Sequence, residues 1–496
     1  LKHKNGPFSV LSSRLMTARQ SVGATIVIGL LAYEVIVLSI LAFFPYIPDM
    51  GFAALNMSIY TFLAPLSTAF LPGVLYAWVV RLGTRETRRR SARFNKLLRF
   101  LSEPFQNTVS SVKNASLSES ANSLKTLSRP RLMIVVSLVV SILLVFIPYR
   151  PDLNPTRALV GVDSPLYVSW IGQMLARPLP QALQYSFVEG LEGSRPFLLI
   201  PLYLLASAGS SPSQIIEYLP MIFAPALTLS AYVFVRYGHG SSNVAGLTGL
   251  STSFSFYSTV GLWGGYYANW LALILVYLFM TSLLIFSKAP RSFSYMAMYF
   301  LSIALFLTHP WTWVLVAAVA LVYTITLWRE TQESIHVISI MGIVATGVIL
   351  DVAKSWIFAT RTVAADIATK SPAGLGSLLG FWNNLVEALL FTHGGLLADW
   401  LILGLGLLAA FLLKFRDPFE RLLLLWVAVP SIPFLVLDSY SQARILYDLP
   451  IPVLTSFATV ILVPVVGTKS IRWPGLVLTL LMTVIANYAL QGILLI

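Results

Sequence analysis

"FLLIPLYLL", residues 197–205, is an apolar stretch with a proline, Pro201, at its centre. Whether it crosses a membrane decides the number of spans, and with it the side on which every later connection falls. A transmembrane helix needs roughly 20 consecutive apolar residues, and an interior proline removes one ladder donor and crowds the preceding turn. The stretch is therefore expected to lie at the surface or to re-enter, which makes the whole of 150–213 one long loop.

The chain around it has the composition of a polytopic membrane protein. Of its 496 residues 57% are hydrophobic and only 11% charged, and the mean hydropathy of +0.79 is far above that of a soluble domain. Apolar runs near 23–45, 57–80, 132–149, 214–235, 244–262, 270–287, 293–308, 311–327, 337–351, 398–414, 422–437, 446–466 and 475–496 are candidate spans. A net charge of +13 would suggest nucleic acid in a soluble protein. Here the basic residues flank the apolar runs, which is the positive-inside pattern, so no nucleic-acid partner is expected. From a cytoplasmic N-terminus, Arg81 to Arg131, Arg236, Lys288 with Arg291, Arg329, Lys414 with Arg416 and Arg421, and Lys469 with Arg472 fall on alternate connections. About 13 spans satisfy all of them, with the C-terminus outside.

The expected fold class is thus all-α, an integral, multi-pass helical protein of the lipid bilayer. Residues 1–131 form a transmembrane hairpin plus a basic cytoplasmic loop, and 132–496 form the transmembrane core. By the same parity "LGSLLGFWNNLVEALLF", 375–391, stays outside, so a second long outer loop runs over 352–397. In the basic loop, "RFNKLLRFLSEPF", 93–105, reads as an amphipathic helix, either on the inner leaflet or packed on the protein. The stretch 107–128, rich in Ser, Asn and Thr, reads as a linker. The N-terminus, with Lys2, Lys4, Arg14 and Arg19 ahead of a full-length apolar run, does not read as a cleavable signal. With no cysteine anywhere, thiol chemistry and cysteine metal sites are excluded.

In the first long loop, "GVDSPLY", 161–167, places Asp163 just ahead of Leu166, Tyr167, Trp170, Ile171, Met174 and Leu175, which recur at helical spacing. The pattern predicts an interfacial helix with Ser164 as N-cap and Pro165 at the first helical position. Asp163 then either offsets the helix dipole or faces a wet cavity as a functional acid.

Taken together, Gly-x-Asp-x-x-x-Tyr over 161–167, the interfacial helix, and "GSRPFLLIPLY" over 193–203 resemble the GT-C superfamily of membrane glycosyltransferases. Protein O-mannosyltransferases, aminoarabinose transferases and oligosaccharyltransferases belong to it. The resemblance implies inverting transfer of a sugar from a polyprenyl-phosphate (such as dolichyl-phosphate) donor to a protein, lipid or glycan acceptor on the outer face. Asp163 would be the general base. A paired acidic metal motif of the oligosaccharyltransferases is replaced here by Gly161 and Pro165, so no cofactor is expected and a divalent metal is the less favoured alternative. Asp152, Glu189 and Glu192 share the loop as candidates for a second acid or as Arg-paired surface groups.

A lipid phosphate needs cations on the side of the base. The resemblance points to late outer loops, and so to Arg444 in "DSYSQARILYDLP", which could equally pair with Asp438 or Asp448. Lys354, Arg361 and Lys370 lie in the second long loop. His309, in the turn "FLTHPWTW", is expected to be recessed, as a phosphate donor or as a packing residue beside Trp311 and Trp313; His393 is weaker, and the two do not have metal-site spacing. Trp263, Tyr266 and Tyr267 in "WGGYYANW" offer faces for a sugar ring, or belong to the aromatic belt. The competing classes are a transporter or lipid flippase, and a non-catalytic membrane assembly subunit with the same fold.

Overall fold

The computed structural model describes residues 130–188, 195–369, 413–434 and 439–466, with a few isolated positions between. Nearly all of 1–131, Glu189, Glu192, Lys370, the 375–391 stretch, His393, Asp438, and the spans expected at 398–414 and 475–496 lie outside these residues or nearly so. By contact the chain divides into two units, and the one formed by Pro130–Ala398, Leu413–Val453 and Ala489–Ile496 holds every helix treated below except Ile451–Val466, most of which belongs to the other.

Every regular element among the described residues is a helix. In chain order they are α1 (Pro130–Phe146), α2 (Ser164–Leu175), α3 (Leu179–Val188), α4 (Pro196–Ser207), α5 (Pro212–Gly238), α6 (Ser242–Ser253), α7 (Phe256–Gly264), α8 (Tyr267–Lys288), α9 (Ser292–Thr308), α10 (Pro310–Thr331), α11 (Ile335–Phe358), α12 (Val363–Thr369), α13 (Pro418–Phe434), α14 (Ser439–Asp448) and α15 (Ile451–Val466). Five stretches are long and apolar enough to cross a membrane: Leu132–Tyr149, which is α1 with its 3-10 extension, and α5, α8, α10 and α11. The helix α4 over "FLLIPLYLL" has 12 residues; at 1.5 Å per residue it is about 18 Å long, well short of a roughly 30 Å hydrocarbon core.

The boundaries follow from local chemistry. Ser211 accepts from the Gln214 N–H to open α5, and Pro212 occupies the first helical turn, where its missing N–H costs nothing. The run expected as one span over 244–262 is instead two helices, because Ser255 caps α7 by accepting from the Tyr257 N–H at 3.3 Å. The span expected to begin at 446 begins at Ile451, since 446–448 complete the separate short helix α14. The helix expected to end at Asp351 runs on to Phe358. Asp351 and Lys354, which lower the local hydropathy, are partners at i, i+3 on that helix, 3.6 Å apart, so Lys354 belongs to α11 and not to a loop.

Helix α8 packs between α5 and α9, α1 packs on α5 and α6, and α10 packs on α11 and α13. Helices α5 and α8 run in the same direction, with their C-terminal ends together, and α11 starts at that end, where His336 meets Phe286. At one end lie the turns at 239–241, 289–291 and 332–334, with Lys288 Nζ donating to the carbonyls of Tyr237 and Gly238. There the buried Arg421 guanidinium grips both carboxylate oxygens of Glu330, at 2.6 and 2.8 Å. At the other end gather the segments 150–188 and 195–211, the turn between α7 and α8, His309, and α14.

Candidate functional site

Two main-chain hydrogen bonds hold the Asp163 loop against the turn between α7 and α8. Val162 N–H donates to Trp263 O at 2.9 Å, and Asp163 N–H donates to Gly264 O at 3.0 Å. The approach is close enough that one position on each side of the clasp has no room for a side chain. Gly161 has φ +103°, and a Cβ there would stand 2.6 Å from Leu262 O. Gly265 has φ +69°, and its Cβ would meet the backbone nitrogens of Ser164 and Asp163 at 2.9 and 3.1 Å. Both positions thus combine a left-handed backbone with backbone crowding. Gly265→Ala is expected to destabilise the fold by roughly 1–3 kcal/mol from strain and steric displacement together. A lower melting temperature in detergent checks this.

Asp163 occupies the N-cap position of α2, yet its carboxylate makes no capping hydrogen bond. Ser164, expected as the N-cap, is instead the first residue of the helix. The left-handed turn at Gly161 carries the chain so that the Asp163 carbonyl accepts the first helical bond, from Tyr167 N–H at 3.2 Å. The Ser164 hydroxyl is turned inward, 2.5 Å from Val160 O and 2.7 Å from the Tyr267 hydroxyl. The half-buried Asp163 carboxylate is thereby left for other work. Burial pushes its pKa above the usual carboxylate range, against the opposing pull of the Arg195 and Arg444 guanidiniums.

Those two arginines come from different elements. Arg195, half-buried at the start of α4, donates through Nη1 to the Tyr167 hydroxyl at 2.7 Å. Tyr167 is fully buried and its oxygen also takes the Ala268 N–H at 3.3 Å, so Arg195 is anchored to a rigid post on α2. Arg444 lies on α14, one turn before Asp448, and acts on the charges of both Asp163 and Asp448. Helix α14 is fixed to the same turn as the Asp163 loop. Tyr447 donates to Tyr257 O at 3.0 Å, and its ring stands edge-on to Tyr266 at 5.7 Å.

His309 is buried between α9 and α10, and it caps α10: its Nδ1 accepts the Thr312 N–H at 3.2 Å. The same nitrogen is 2.8 Å from the Thr312 hydroxyl, and that hydroxyl donates to Asp448 Oδ2 at 2.6 Å. Asp448 is buried at 6% exposure, and burial pushes its pKa up to about 7, opposed by the Thr312 hydrogen bond and by Arg444. Its backbone carbonyl accepts from Trp426 Nε1 at 3.1 Å. His309 is thus linked through Thr312 to Asp448, and Arg444 acts electrostatically on both Asp448 and Asp163.

The remaining candidates take other places. Lys354 is buried with Asp351 and stands 5.6 Å over the Phe306 ring; Asp351 Oδ2 also accepts the Val363 N–H at 2.8 Å, pinning the turn that leads into α12. Arg361 is exposed in that turn. Asp152 is exposed and gripped by Arg150, whose Nε donates to it at 2.9 Å and holds its pKa below the usual range. Trp263 is partly exposed, Tyr266 half-buried, and Tyr267 fully buried with its hydroxyl against Ser164. Among the described residues no three His, Asp or Glu side chains converge as a metal site.

Sequence reasoning passed over Arg195 and Asp448 as site residues. Arg195 carried a signal, an arginine directly before the Pro196 that opens a helix. Asp448 read only as a neighbour of Arg444, because its burial is a property of tertiary packing. The arrangement offers a carboxylate of raised basicity beside two guanidiniums, which suits removal of a proton next to a bound anion. Compared with known protein families and with curated proteins, the chain matches none.

Proposed function

We propose that the chain is a membrane glycosyltransferase that moves a sugar, with inversion, from a polyprenyl-phosphate donor to an acceptor hydroxyl on the outer face of the membrane, within a GT-C-like bundle of about 13 spans. The observation that carries this reading is the Asp163 carboxylate, which is unused by its own helix and lies in the joint field of Arg195 and Arg444. In the proposed reaction Asp163 takes the acceptor proton as the acceptor oxygen attacks the anomeric carbon. The bond from that carbon to the phosphate oxygen breaks, and its electron pair leaves with the lipid phosphate. Arg444 and Arg195 would stabilise that leaving group through charge-assisted hydrogen bonds.

Purified chain in vesicles with a polyprenyl-phosphate sugar, assayed for consumption of the donor, tests the reading. Arg195→Gln is expected to raise the KM for the donor about tenfold, since a charge-assisted bond contributes roughly 1.5–3 kcal/mol. An unchanged KM would remove Arg195 from the phosphate site.

Transport is a second reading with an observation of its own, the buried Asp351–Lys354 pair on the candidate span α11. Ionisable groups inside a span commonly line a substrate path. Here Asp351 also ties down Val363 N–H, which gives the pair a structural task. Counterflow of substrate into sealed vesicles would favour transport.

A further inference from the structure

The trio His309, Thr312 and Asp448 poses a question of proton counting. A threonine hydroxyl has one proton, and here it stands within hydrogen-bond distance of two acceptors, Asp448 Oδ2 at 2.6 Å and His309 Nδ1 at 2.8 Å. With Asp448 ionised, Thr312 gives that proton to the carboxylate, and His309 Nδ1 keeps the longer 3.2 Å bond from the Thr312 N–H. With Asp448 protonated, Oδ2 donates to the hydroxyl and the hydroxyl donates to Nδ1, so both short contacts become hydrogen bonds. Asp448 Oδ1, moreover, is buried with no hydrogen-bond partner among the described residues. An ionised carboxylate would leave that oxygen's charge uncompensated, whereas a neutral acid bears the omission at less cost.

Asp448 also lies four residues after Arg444 on α14 and acts on the same charge balance as Asp163. The groups facing it are Arg444 and Tyr447 on its own helix, His309 and Thr312 at the start of α10, and Tyr257 on α7. The two phenols ordinarily ionise well above neutrality, and His309, whose Nδ1 accepts the Thr312 N–H, is held as the neutral imidazole, so the proton on Asp448 is the variable that changes the charge around Arg444 near pH 7.

We propose that Asp448 is a proton-operated positioning residue that sets the affinity of the Arg444 site for a phosphodiester anion. Neutral, it leaves Arg195 and Arg444 balanced by Asp163 alone, and the site carries one excess positive charge. Ionised, it cancels that excess. The inference rests on Arg444 as the anion-binding cation of the proposed transferase, and the structure supports it through burial, since the Asp448 pKa is raised into the neutral range.

The test is binding of dihexyl phosphate, a singly charged diester across pH 5.5–8.5, to the purified full chain in detergent, with dimethyl phosphate as the chainless arm. The wild-type Kd for the diester is expected to weaken roughly five- to tenfold between pH 6 and pH 8, as a charge change several ångströms away in a half-polar medium requires. Asp448→Asn should bind with no such slope. Thr312→Val removes a donor to the ionised acid, so it should keep the slope and move its midpoint to higher pH. Preference for dihexyl over dimethyl phosphate identifies a lipid-borne anion, and equal binding identifies a soluble one; either supports the inference when the slope depends on Asp448. A flat wild-type profile, or a slope that survives Asp448→Asn, overturns it. A slope of the expected form in a chain that never consumes a sugar donor would leave the proton-operated site standing and reject the transferase reading.

Discussion

Replacing Asp163 by Asn is expected to lower sugar transfer by on the order of 10²- to 10⁴-fold, the usual worth of a positioned general base. The same change should leave the KM for the anionic donor equal or lower. Asn keeps the shape but removes a negative charge that opposes the phosphate beside Arg195 and Arg444, so donor binding loses a repulsion as catalysis loses its base. That divergence separates a catalytic acid from a structural one, since an acid that merely held the arginines in place would raise KM when removed. Asp163→Glu should recover only part of the rate, because the clasp to Trp263 and Gly264 fixes the main chain and a longer side chain overshoots. Initial rates over a range of donor concentrations measure both parameters. Normal transfer by the Asn variant would sink the assignment of Asp163 as the base.

The second large effect is on stability. Asp448 has its pKa raised from 3.8 to about 7 by burial, so between these values the folded chain holds a proton that the unfolded chain has released. Stability is fully present below about pH 4 and is lost progressively as pH rises through about 7. The loss is on the order of 4 kcal/mol for a shift of that size. Melting of the wild-type protein in detergent should therefore move to lower temperature from pH 5 to pH 8, and the Asp448→Asn variant should lack this component. A variant that melts with the wild-type pH dependence would show that Asp448 titrates as an ordinary exposed acid.

Much of this molecule is legible in its sequence because hydropathy and charge are averaged over long windows. The helices at 212–238, 267–288, 292–308 and 310–331 stand close to where the apolar runs place them. Short-range chemistry defeats the same averaging. The Ser255 cap divides an apolar run without lowering its hydropathy much, and the Asp351–Lys354 pair lowers it without ending the helix. At the candidate site, Asp163 was legible as an acid beside an apolar segment and Arg444 through the family resemblance, and the structure brings them within each other's field. Arg195 and Asp448 were not, since their roles depend on which side chains are nearby after folding. Tyr267 illustrates the converse: its sequence neighbours suggest a ligand face, whereas its hydroxyl is committed to Ser164.

The clasp between the Asp163 loop and the α7–α8 turn has an evolutionary consequence. Its hydrogen bonds run between main-chain atoms, so the identity of the side chains at Val162 and Trp263, which are 65% and 36% exposed, does not set where the acid stands. Gly161 and Gly265 do set it, through the space they leave. Drift at such a site should therefore be uneven: a saturation scan should tolerate most substitutions at 162 and 263 and almost none at 161 and 265. Distant relatives sharing this geometry would then be recognised by two glycines flanking a hundred-residue gap and one aspartate, while the residues between them diverge beyond alignment.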